Sequence, residues 1–192
     1  MKQLEERILS EGVVKDGDIL IVGGFLNQKI DTVFTNMMAK EAVRRFSGSH
    51  ITKIMTIEAS GIAFGFAVAS ILEVPLVFIK KSRTFNQNDN IYYADIHSFT
   101  HGNDYRATIA KEYLNPDDSI LIVDDFLSDG CAMNGMIEII GKAGAELVGC
   151  VAQIEKGYRK GGDSIRKKGI RVESLAIIDS MKPGKIVFRK EE

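Results

Sequence analysis

Apolar and polar positions follow two periods along this chain. Near residues 2 to 10 the apolar ones recur at helical spacing and stop at Gly12. Val13-Val14 and the unbroken run Ile19-Leu20-Ile21-Val22, closed by Gly23-Gly24, then read as strands. Asp31 reads as an N-cap, because Val33, Phe34, Met37, Met38, Val43 and Phe46 recur at helical spacing up to Gly48. Residues 51–57 form a strand and Glu58-Ala59-Ser60-Gly61 a turn, while residues 62–72, rich in Ala and Gly, suit a helix packed closely on a sheet. Pro75 introduces the strand Leu76-Val77-Phe78-Ile79. The same order of strand, turn, helix and strand recurs with residues 119–123, a helix over about 132–142 and a strand over 147–154.

Such repetition predicts an α/β fold, with a central, mostly parallel sheet, right-handed crossovers and flanking helices. Between the two units lie a polar stretch, residues 80–90, and two β-like arms, 92–99 and 105–110, which read as a flap rather than as core. A polar segment, residues 158–169, precedes two last strands near 171–178 and 185–189.

The size, 192 residues with 45% apolar and 27% charged, fits one domain that buries its own core, and no linker, repeat or low-complexity segment marks a second. Lys and Arg number 25 against 26 Asp and Glu, so the net charge of −1 gives no reason to expect a nucleic-acid or anionic-membrane partner. The longest apolar run, near residues 62–72, is too short to span a bilayer, and acids occupy the first seven residues where a signal peptide carries its apolar core. Cys131 and Cys150 form neither a disulfide framework nor a zinc-type CxxC pair, which points to a reducing cytoplasm. His50, His97 and His101 lack ligand spacing and receive no role.

Chemistry concentrates in residues 120–132. An apolar strand delivers two adjacent carboxylates, Asp124 and Asp125, at its C-terminal end, where open α/β sheets place ligands. A short loop follows, Ser128-Asp129-Gly130-Cys131-Ala132, and leads into a helix. Backbone N–H groups of such a loop and helix start form an anion site suited to a phosphate. The carboxylates could accept hydrogen bonds from vicinal ribose hydroxyls or hold a hydrated Mg²⁺. Neither G-x-x-x-x-G-K-[ST] nor a G-x-G-x-x-G after a strand occurs, which removes the usual ATPase and dinucleotide cradles.

On these residues the chain resembles the type I phosphoribosyltransferases, whose motif is an apolar strand, two acids and a phosphate loop. Further segments, among them residues 11–14, 25–31, 56–63, 154–156 and 171–176, are similar in order and spacing to bacterial xanthine phosphoribosyltransferases. The resemblance implies a single domain over residues 1–192, with a hood over the base from about 1–30 and 156–192 and a mobile catalytic loop over about 80–93. It implies PRPP with Mg²⁺, bound mainly through PRPP rather than by protein ligands, xanthine as the acceptor, and a homodimer.

By matching position, Asp124 and Asp125 face the ribose hydroxyls, and Ser128, Asp129, Gly130, Cys131 and Ala132 cradle the 5′-phosphate. Glu58, Ala59, Ser60 and Gly61 take the pyrophosphate, helped by Lys81. Leu20, Asn27 and Lys156 fall where the family binds xanthine. Phe126 and Leu127 serve equally well as core or as the apolar surface that a flat base packs on. Lys156 taken alone reads as a solvated lysine at a strand end.

The phosphate loop departs from the A-T-G-G-T pattern common in the superfamily. Asp129 adds negative charge near a phosphate and is expected to face solvent or cap the helix. Relatives that act on hypoxanthine carry an aspartate base at the place of Ser128, so no side chain is assigned as general base. Cys131, at the helix N-terminus, is expected to favour its thiolate. Two alternatives stay open: a guanine or hypoxanthine enzyme of the same class, and a non-catalytic PRPP-sensing regulator, which would need an effector module that this length does not supply.

Overall fold

The computed structural model describes residues 1–15, 18–82, 90–98 and 103–190. Helix α1 (Lys2–Glu11) leads into a small antiparallel hairpin of β1 (Val13–Lys15) and β2 (Ile19–Ile21). There follow α2 (Thr32–Arg45), β3 (Lys53–Ile57), α3 (Gly61–Leu72) and β4 (Leu76–Ser82), then β5 (Ile91–Ser98) and β6 (Asn103–Ala110). The second half brings β7 (Ser119–Leu127), α4 (Cys131–Ala143), β8 (Glu146–Lys156), α5 (Gly161–Lys167), β9 (Val172–Lys182) and β10 (Lys185–Phe188).

Eight strands form one sheet in the order β10-β9-β8-β7-β3-β4-β6-β5, parallel from β9 through β4 and antiparallel at both margins. Its central strands are buried on both faces, which is why they read as unbroken apolar runs. Alternation divides β7 between two cores: Leu121 and Val123 join the cluster that includes α1, α2 and α3 residues, whereas Ile120 and Ile122 join the one that includes α4 residues. Asp31 does cap α2, accepting from the Phe34 N–H at 3.0 Å.

Three expectations need correction. The arms over 92–99 and 105–110 are not a flap: β5 and β6 extend the main sheet, and Ala94, Ile96, Ala107 and Ile109 are buried in its core. Their short apolar residues alternate with charged ones because only one face is covered. Strand β7 does not stop before the two acids but runs on to Leu127, held in register by β8 as far as the Leu127–Glu155 pair. The loop expected over 80–93 has strands at both shoulders, since β4 reaches Ser82 and β5 begins at Ile91, and residues 83–89 lie outside the described residues.

The end of β8 is fixed by a buried ion pair. Glu155 is fully buried and receives both terminal nitrogens of Arg166, at 2.9 and 2.7 Å, and the Ser174 hydroxyl at 2.5 Å. A Cβ at Gly162 would come within 2.2 Å of Glu155 Oε1, so the glycine lets α5 approach. Arg166→Met leaves Glu155 buried and unpaired and is expected to cost about 3–5 kcal/mol in urea unfolding at neutral pH. Adding Glu155→Gln should recover most of that loss.

Candidate active site

Two crossovers leave adjacent strands in opposite directions: β3 passes through α3 to β4, and β7 through α4 to β8. The carboxyl ends of β3 and β7 therefore flank the switch point at which open α/β sheets take ligands. From β3 comes the turn Glu58-Ala59-Ser60-Gly61, with a cis Glu58–Ala59 peptide; from β7 come the two acids and the loop into α4. A cavity of about 990 Å³ opens there.

This cavity gathers nearly every residue singled out from the sequence. Asp124, Asp125 and Phe126 line it, as do the loop residues Ser128, Asp129, Gly130, Cys131 and Ala132. Glu58, Ser60 and Lys81 line it from the β3 and β4 side, and Leu20, Asn27 and Lys156 from the hairpin, the loop before α2 and the end of β8. Ala59 and Gly61 are not part of the lining. Gly61 acts underneath: a Cβ there would stand 2.3 Å from Thr56 Oγ1 and 2.6 Å from Asp124 Oδ1, so only glycine lets α3 start against the first carboxylate.

The diacid is an electrostatic hot point. Both carboxylates are more than nine-tenths buried, and the Asp125 N–H donates to Asp124 Oδ1 at 3.0 Å. Burial, then the Asp125 charge, pushes the Asp124 carboxyl well above the usual carboxylate range, while Lys81 pulls the other way. Thr56 Oγ1 beside it is a buried polar atom with no partner among the described residues. Lys81 is exposed at its end, and its backbone N–H donates to Glu58 Oε1 at 2.7 Å. That bond ties the β3 turn to β4.

The phosphate-type loop is built by close approach. Gly130 is left-handed (φ 84), and the Gly161 N–H donates to the Ser128 carbonyl at 3.2 Å. A Cβ on Gly161 would fall 2.3 Å from that carbonyl oxygen and 2.5 Å from Gly130 N. Asp129 caps the helix, as expected, by accepting the Cys131 N–H at 3.0 Å. The expectation for Cys131 itself is overturned: burial, then the hydrogen bond and charge of Asp129, push its thiol up to about 11, so the thiolate is disfavoured.

Parts from distant segments complete the cavity. Asn27 is exposed on the loop that Arg7 clamps, with the guanidinium 4.7 Å from the Phe25 ring, 4.6 Å from that of Phe34 and 2.8 Å from Asp31. Lys156 is half-buried, and its ammonium donates to the Asp18 carbonyl at 2.6 Å; burial lowers its pKa, with Asp18 opposing. Leu127 is buried in the core and Phe126 half-buried, and both reach the cavity wall. No cluster of three His, Cys, Asp or Glu side chains able to hold a metal occurs among the described residues.

Sequence reasoning missed Asp18, Tyr105, Thr56 and Gly161. A doubled glycine at 161–162, inside a segment read only as polar, was a usable signal for a close approach. Nothing local pointed to Asp18 or Thr56. Tyr105, whose hydroxyl is pushed up to about 12 mainly by burial, lay in the arms taken for a flap.

The family described as Phosphoribosyl transferase domain matches residues 30–179. Xanthine phosphoribosyltransferase 1 of Clostridium perfringens (strain 13 / Type A) is 46% identical over 190 residues, covering 98% of this chain and 100% of its own length. The xanthine phosphoribosyltransferase of Heliobacterium modesticaldum is 47% identical over 188 residues, with the same two coverages. Among solved structures, APRTase from Giardia lamblia complexed with 9-deazaadenine superposes with a TM-score of 0.77 at 20% identity, covering 91% of this chain and 96% of that one.

Replacing Asp124 tests the cost of the diacid. A carboxyl whose pKa is higher in the folded than in the unfolded chain stabilises below its unfolded value and destabilises as pH rises through the folded one. Asp124→Asn should therefore raise the melting temperature at mildly alkaline pH, by about 2–4 °C for each kcal/mol relieved, and the gain should shrink as pH falls toward about 4. A scan of melting temperature against pH for both proteins checks it.

Proposed function

The chain belongs to the phosphoribosyltransferase family, with its type I fold, and from that premise we propose that it is a xanthine phosphoribosyltransferase. It transfers the 5-phosphoribosyl group of PRPP to N9 of xanthine, giving XMP and pyrophosphate, a purine-salvage reaction. What carries this is the single cavity that joins a buried diacid and a phosphate-type loop to Leu20, Asn27, Phe126 and Lys156.

Asp124 and Asp125 accept hydrogen bonds from the ribose hydroxyls, and the backbone amides of residues 128–132 at the start of α4 take the 5′-phosphate. Asp129 competes with the phosphate for the Cys131 amide, so the neighbouring amides carry most of that contact. Glu58 to Gly61 form the turn for the pyrophosphate, with Lys81 supplying positive charge at the mouth. As pyrophosphate leaves the anomeric carbon, positive charge develops on the ribose, and the negative charge of the Asp124–Asp125 pair beside it stabilises that charge. Asp124 and Asp125 are the carboxylates that would support a Mg²⁺ ion arriving with PRPP, and the ion would supply positive charge against the pyrophosphate.

A lysine only donates. The Lys156 ammonium therefore suits the carbonyl at purine C6 and is mismatched to the amino group of adenine. Asn27 can donate its amide to the C2 carbonyl that xanthine has and hypoxanthine lacks, and Phe126 offers a face to the ring. The chain works as a homodimer: α2 and α3 pack together and leave Val33, Met37 and Phe66 exposed for a second copy to cover. Two free cysteines suit the cytoplasm.

Pyrophosphate release should be measured with PRPP, Mg²⁺ and each of xanthine, guanine, hypoxanthine and adenine. Xanthine is expected to give the highest kcat/KM and adenine none. Replacing both Asp124 and Asp125 by Ala should abolish turnover. Asn27→Ala should narrow the ratio of xanthine to hypoxanthine by about ten- to hundredfold, the worth of one buried polar contact. A preference for guanine or hypoxanthine would remove xanthine from the assignment, and PRPP binding without turnover of any base would favour a regulator instead.

A further inference from the structure

One residue at the cavity wall joins two segments that sequence separates widely. Asp18 opens β2 with a left-handed backbone (φ 71), a conformation that Asp and Asn enter more readily than other residues with side chains. Its carbonyl accepts the Lys156 ammonium at 2.6 Å. Its carboxylate accepts the Tyr158 hydroxyl at one oxygen and, at the other, Arg159 through Nε at 2.7 Å and Nη2 at 2.6 Å. Every donor comes from the end of β8 or the 3₁₀ turn that follows it (Gly157–Arg159).

The hairpin that carries Asp18 forms a two-stranded sheet of its own and shares no ladder with the main sheet. Two strands are marginal without further support. Asp18 supplies support where Leu20, two residues on, and Lys156 both line the cavity. An ammonium has three donors; the Asp18 carbonyl takes one and leaves two for a ligand, which turns a flexible lysine into an oriented one.

We infer that Asp18 is the positioning residue of the base subsite: its carbonyl aims the Lys156 ammonium, and its carboxylate, by holding Tyr158 and Arg159, keeps the Leu20 hairpin against the same pocket. This rests on the function proposed above and adds a residue to it. Asp18 touches no reacting atom. Its effect is confined to the base, because Asp124, Asp125 and the 128–132 loop belong to the main sheet and to the turn into α4. The charge of Asp18 also opposes the loss of the Lys156 proton that burial favours.

The test is steady-state kinetics on the full chain for the wild type, Asp18→Asn, Lys156→Met and the double variant. Asn keeps the left-handed backbone and the carbonyl but removes the charge that holds Arg159. Asp18→Asn should raise KM for xanthine about tenfold, leaving kcat and KM for PRPP within about twofold. Because the hairpin that Asp18 holds also carries the carbonyl that aims Lys156, the double variant should raise KM for xanthine by less than the product of the two single effects. The inference is overturned if KM for xanthine stays unchanged, if both KM values rise together with a fall in melting temperature, or if the two effects multiply. Should Asp18→Asn fail to fold, Tyr158→Phe removes one donor to the same carboxylate and should raise KM for xanthine about threefold alone, no rise overturning the inference.

The two readings fail separately. A wild type that turns over guanine or hypoxanthine instead loses the xanthine assignment, and the Asp18 comparison then runs on that base, which has the same C6 carbonyl. A wild type that turns over no 6-oxopurine overturns both.

Discussion

Keeping the Asp124 carboxylate in the middle of an apolar sheet costs desolvation free energy, and much of the surrounding architecture follows from accommodating it. The two core clusters pack apolar side chains on both faces of β7, and its register with β8 continues past the acids, which keeps the strand paired where its own propensity is poor. Gly61 removes the side chain that would collide with Oδ1, and Thr56 leaves its hydroxyl unpartnered next to it. Buried groups left partly unsatisfied in an otherwise well-satisfied protein mark places where a ligand completes the hydrogen bonding. A sugar with vicinal hydroxyls does this for carboxylates, since each hydroxyl brings a donor to an acceptor that the protein leaves unfilled.

The rest of the cavity is assembled from less rigid parts. Asn27 depends on the Arg7 guanidinium between two phenylalanine rings, and Lys156 on a strand end fixed by Glu155 and Arg166. The Arg7–Asp31 and Lys156–Asp18 bonds join residues 24 and 138 positions apart, whereas the diacid and the phosphate-type loop follow one another along a single strand and turn. On the proposed function, sugar and phosphate recognition is local in sequence, and base recognition is not.

That difference explains what the sequence made legible. Element order, the α/β class, the N-cap at Asp31 and the grouping of residues 124–132 could be read from local periodicity and one motif, because the physics there acts over a few residues. The arms over 92–99 and 105–110 were misread because half-covered edge strands carry Tyr, Asp and Arg at alternate positions, which without knowledge of the covered face looks like a polar loop. Cys131 was misjudged for a related reason. A helix N-terminus alone favours a thiolate, but here the thiol is desolvated and sits against the Asp129 carboxylate, neither of which local sequence shows. Asp18 carried no signal, since its partners lie at 156–159.

Structural likeness sharpens the point about the base. The APRTase compared above shares this fold at 20% identity. A shared sheet therefore does not select the base. Selection needs groups that can be exchanged without disturbing the costly diacid, and a small hairpin with its own two-stranded pairing and the end of one strand are such places. The ammonium of Lys156 is held by a backbone carbonyl at the cavity wall, which leaves donors for a ligand. An adenine amino group would meet those donors with hydrogens, at the cost of leaving a half-buried ammonium short of acceptors, whereas a C6 carbonyl supplies one. On the proposed function, discrimination at C6 comes from the penalty on the wrong base as much as from the contact with the right one.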